Sequence, residues 1–81
     1  GMQELDVRPI PPRDKHPTIH RLLDALPAGE VLRLINDHDP RPLRFELEGD
    51  HPGVFGWNYV DAGPEIWRVD ICRLSSPGAK S

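Results

Sequence analysis

Apolar and polar positions alternate over residues 3–8, placing Leu5 and Val7 on one side and predicting a strand with one buried face. Pro9, Pro11 and Pro12 end that strand, because proline brings no N–H to a ladder. Downstream the period changes. Ile19, Leu22, Leu23 and Leu26 stand at i, i+3, i+4 and i+7, one apolar stripe on a helix, with Asp14 as an acceptor near its start and Pro17 in its first turn. Pro27-Ala28-Gly29 stops the helix, and Gly29 suits a left-handed cap. Residues 30–36 then read as a β-branched strand, and residues 41–48 as a short helix carrying Leu43 and Leu47 one turn apart. After a turn at residues 50–53, Phe55, Trp57 and Tyr59 share one face of a third strand. Trp67, Val69 and Ile71 share one face of a fourth, with Ile66, Arg68, Asp70 and Cys72 opposite and Ala62-Gly63-Pro64 joining the pair as a hairpin.

The order is β-α-β-α-β-β. A right-handed crossover makes the first two strands parallel, and the last two are antiparallel. Two helices on one face of a mixed four-stranded sheet give a two-layer α+β sandwich. Residues 3–74 form this single domain, and residues 75–81 (SSPGAKS) read as a flexible tail. Gly1 ahead of Met2 reads as a cloning remnant.

Composition narrows the function classes. Seven glycines and ten prolines make the chain rich in loops without the composition of a disordered one. No apolar run exceeds two residues, which predicts a soluble, cytoplasmic protein with no membrane partner. The single cysteine, Cys72, excludes an internal disulfide and a zinc site built on cysteines. Ten basic against thirteen acidic side chains give no electrostatic footprint for nucleic acid. All serines lie in the last seven residues, so a Ser-His-Asp triad is excluded. Catalysis is not expected.

The topology locates the candidate chemistry. Helices that follow parallel strands start at the carboxyl edge of those strands, where open sheets hold ligands. Arg8, Arg13, His16, Asp37, His38, Asp39 and Arg41 all fall at that edge, as a candidate binding surface. One reading is a transition-metal site. His16 and His20 share a helical face at i, i+4, and His38 from the adjacent loop supplies a third imidazole of the kind zinc, iron or copper(II) accepts. A second is an anion or small molecule at the helix N-termini, with the arginines as charge-assisted donors. The plainer account leaves the histidines to solvent, uses Asp14, Asp37 and Asp39 as caps, and pairs the arginines with them. Cys72 reads as a bland thiol, and Phe55, Trp57 and Tyr59 as core. The uncovered sheet face, with Ile66 as its apolar candidate, offers an interface to a protein partner or a second copy.

The stretches LDVRPIPPRDKHP, ALPAGEVLRLINDHDPRPLRFELE and FGWNYVDAGPEIWRVDI resemble a small bacterial domain family of unknown function, grouped with the sulfur-carrier (TusA/SirA-like) fold. The resemblance covers residues 5–71 and is carried most specifically by NDHDPRPL and GPEIWRV. It implies the same sandwich and an association with haemerythrin-like metal domains. Sulfur carriers hold a Cys-Pro-x-Pro motif between the first strand and first helix. Here that stretch is Arg8-Pro9-Ile10-Pro11-Pro12-Arg13, so the carrier chemistry has no sulfur to act on. The leading expectation is therefore a non-catalytic binding or interaction domain. The alternative is a metal- or redox-linked accessory module acting with a haemerythrin-like or other redox partner, and sulfur relay stands third.

Overall fold

The computed structural model describes residues 1–74; the tail expected at residues 75–81 lies outside the described residues. Four strands and two helices follow in the order β1 (Met2–Asp6), α1 (Pro12–Asp24), β2 (Val31–Asn36), α2 (Arg41–Asp50), β3 (Phe55–Ala62) and β4 (Trp67–Arg73). The sheet order is β1-β2-β4-β3, with β1 parallel to β2 and the other two pairs antiparallel. This is the α+β arrangement with two helices and a mixed four-stranded sheet that the alternation predicts.

Alternation decides which face is covered. Leu32 and Leu34 of β2 and Val69 and Ile71 of β4 are fully buried, and they meet Ile19 and Leu23 of α1 and Leu43 and Leu47 of α2. Phe55, Trp57 and Tyr59 pack at the edge of this core, as their shared face requires. β3 slips register between Tyr59 and Asp61, which leaves Val60 as a bulge and exposes it.

α1 starts differently from the pattern's suggestion, whereas α2 starts at Arg41 as the pattern predicts and differs in its cap. α1 begins at Pro12, with Pro11 extended in front of it (φ −54°, ψ 141°), so Pro17 lies inside the helix rather than in its first turn. Proline at the first helical position costs nothing, since that N–H has no partner in the helix. Among the described residues neither helix carries a side-chain cap. Asp14, Asp37 and Asp39 do not fill that role, because prolines stand at both cap positions. α1 ends at Asp24, and Leu26 is buried just beyond it.

The uncovered sheet face is laid with charge. Arg33 of β2 pairs with Asp70 of β4 at 2.7 Å, and Arg68 with Asp61 of β3 at 2.5 Å. Asp70 beside it raises the Arg33 guanidinium. Apolar side chains on this face stand at both ends, Met2, Val31 and Cys72 at one and Ile35 between Asp6 and Arg68 at the other, while Ile66 sits half-buried in the hairpin turn. Among the described residues no helix is long and apolar enough to cross a membrane.

Candidate functional site

The carboxyl edge of the parallel pair is held by two loops. Val7 N donates to Ile35 O at 3.0 Å, which ties the start of the β1–α1 loop to the end of β2. The β2–α2 loop is fixed from the other side, where the Tyr59 hydroxyl donates to Asp39 Oδ1 at 2.6 Å. Between these loops and the first turns of both helices lies a cleft of about 80 Å³.

Its walls come from both layers. Val7, Ile19, Leu34 and Leu43 supply the apolar floor, closed on one side by Pro40 and Pro42. Lys15, His16, Asn36 and His38 supply the polar lining. Buried Asn36 accepts the Asp37 N–H through Oδ1 at 2.8 Å, which leaves its NH₂ end as the donor. Among the described residues the lining holds one ammonium, two imidazoles and one amide, and no carboxylate.

The other candidates at this edge are engaged elsewhere. Arg8 makes a two-point contact with Asp6, at 2.9 and 2.6 Å, and so is spent on the last residue of β1. Those hydrogen bonds hold the Asp6 carboxyl at about 2, down from 3.8, and raise Arg8. Asp37 faces His38 Nδ1 at 2.8 Å, and that contact lowers the Asp37 carboxyl. Asp39 serves Tyr59 and lies 3.5 Å from Arg41. Arg13 and Arg41 are exposed, outside the cleft lining. Of the seven edge residues, the cleft therefore gathers His16 and His38, and adds Lys15 and Asn36, which the sequence reading passed over.

The three histidines do not converge. His20 Nε2 lies 2.6 Å from Glu46 Oε1, and His16 Nδ1 lies 3.7 Å from the same oxygen, so α2 contributes the third group where the β2–α2 loop was expected to. His16, His20 and Glu46 offer ligand atoms within 4.8 Å of one another, and His38 is not among them. Cys72 is half-buried on the uncovered face, away from the cleft lining.

The Asp6–Arg8 pair makes a pH prediction. A carboxyl held below its unfolded value contributes stability above about pH 4 and loses it as the pH falls towards 2. Both side chains are more than a third exposed, so water and salt screen the effect and it is small. Carboxyl-carbon NMR should show Asp6 titrating near pH 2, and Arg8→Gln should return it to the ordinary range. A normal midpoint in the unsubstituted protein would exclude the pairing.

The chain is thus a small two-layer α+β sandwich with a donor-lined cleft at the edge of its parallel strands. Residues 4–73 match the family described as an uncharacterized conserved protein (DUF2249), and the chain belongs to that family. Comparisons with the curated proteins and with the solved structures each found no match.

Proposed function

We propose that this is a non-catalytic binding module on the sulfur-carrier-like sandwich, whose cleft receives a compact carboxylate on a short apolar body. The observation that carries the reading is the lining: apolar at the floor and furnished at the rim with donors, with the carboxylates that face His38 and His16, Asp37 and Glu46, standing outside it. Lys15, His16, His38 and the Asn36 amide would direct N–H groups at the carboxylate, while Val7, Ile19 and Leu34 would hold the hydrocarbon. The same chemistry describes a free short-chain acid and a carboxylate side chain of a docking protein. Sulfur relay gains no support, since the turn into α1 offers Pro9-Ile10-Pro11 where a carrier needs a thiolate.

The test is a titration with sodium butyrate followed by ¹H–¹⁵N and methyl NMR. Six non-hydrogen atoms at about −0.7 kcal/mol each, within the range small ligands reach, predict a Kd of about a millimolar. Shifts should saturate and cluster on Val7, His16, Leu34, Asn36 and His38, and His38→Ala should weaken binding several-fold without unfolding the domain. A glutamate-bearing peptide that moves the same signals would identify a protein carboxylate as the source. Linear, unsaturated shifts spread over the surface would end the proposal.

A further inference from the structure

We infer that His16 and His20 of α1 and Glu46 of α2 form a binding site for a divalent transition metal of the zinc type, on the helical surface beside the cleft. The inference is independent of the carboxylate reading and shares only His16 with it. Three features carry it: the donor set, the spacing and the exposure.

Two imidazoles and one carboxylate are ligands that zinc accepts with three protein groups and an open fourth position. Tetrahedral zinc with bonds of about 2.1 Å sets its ligand atoms about 3.4 Å apart. His16 Nδ1 and Glu46 Oε1, 3.7 Å apart, already stand near that separation. His20 Nε2 and Glu46 Oε1 stand at 2.6 Å, in hydrogen-bond contact, and must open by under an ångström. Small rotations of the Glu46 side chain and the His20 ring provide this, because neither is fully buried: their side chains are 40% and 33% exposed. The imidazoles lie one turn apart with ring centroids separated by 6.0 Å, so one ion can reach both.

The arrangement also explains why Glu46 faces two histidines at once. A lone surface ion pair needs one partner, whereas this carboxylate lies within 4 Å of both rings, across the seam between the two helices. A metal there would tie α1 to α2 and, with its open position, hold a water or a ligand from a partner.

The experiment is calorimetric titration of chelator-treated protein with zinc chloride, alongside thermal unfolding. The account predicts one site with Kd in the micromolar range, a higher midpoint with zinc, and affinity falling below about pH 6 as protons compete for the imidazoles. Glu46→Gln and His20→Ala should each weaken binding at least tenfold, with far-UV circular dichroism unchanged. His38→Ala should leave zinc binding intact while weakening butyrate, and Glu46→Gln should do the reverse, so the two sites fail separately. No binding tighter than about 100 μM, or binding kept by Glu46→Gln and lost in His38→Ala, would overturn the site.

Discussion

Arg73→Ala is expected to lower the folding stability by about 3 kcal/mol, a large share of what a domain this small possesses. Arg73 ends β4 and is only 4% exposed. Its Nη2 donates to the carbonyls of Leu23 and Asp24, the final residues of α1, where Leu23 O also accepts from Leu26 N at 3.2 Å. The guanidinium also lies 4.8 Å from the centre of the Phe55 ring. Alanine removes the donor, the stem packing and the ring contact together, and leaves the Leu23 carbonyl with the Leu26 N–H alone and the Asp24 carbonyl without its arginine donor. Arg73→Met keeps the stem and loses the donor, so it should fall between alanine and the natural residue. Urea unfolding of the three proteins checks this order. A change under about 0.5 kcal/mol for alanine would mean that water reaches the helix end and Arg73 is dispensable.

Gly63→Ala should cost about 2–4 kcal/mol for two reasons that act together. Gly63 sits at φ 80°, in the left-handed region that a side chain disfavours, and donates its N–H to Ile66 O at 2.9 Å in the β3–β4 turn. A Cβ there would stand 2.5 Å from Cζ2 and 2.7 Å from Cε2 of the Trp67 indole. The ring is held in place by Tyr59, edge-on at 6.1 Å, so the turn must move instead. A Trp67→Ala background separates the causes: the backbone cost remains, the steric cost disappears, and Gly63→Ala becomes milder by about half. Equal costs in both backgrounds would assign the whole effect to the dihedral.

The sheet and its register were legible because alternation and one-sided burial are the same fact. A β4 that buries Val69 and Ile71 must turn Arg68, Asp70 and Cys72 to the other face. The same rule points Arg73 inward with them, where its guanidinium meets the end of α1. The start of α1 was obscured by its prolines, which fit position N1 as well as a loop. For the site, topology located the edge but not the side chains. Arg8 was taken by Asp6 two residues away, a local contact that sequence spacing permits without requiring. Glu46 was invisible for the opposite reason. Its meeting with His16 and His20 depends on how far α2 slides along α1, which no local pattern encodes.

The central claim is that the cleft between the two loops is the binding site. It is tested most directly by intermolecular nuclear Overhauser effects from butyrate at a concentration several times its Kd. The account predicts contacts from the butyrate methyl to the methyls of Val7, Ile19 and Leu34, three residues of the cleft floor that only a molecule inside it can reach together. Contacts instead to Phe55 and Trp57, around the separate cavity of about 30 Å³ beside His51, would contradict it, as would a saturated complex showing none to the floor.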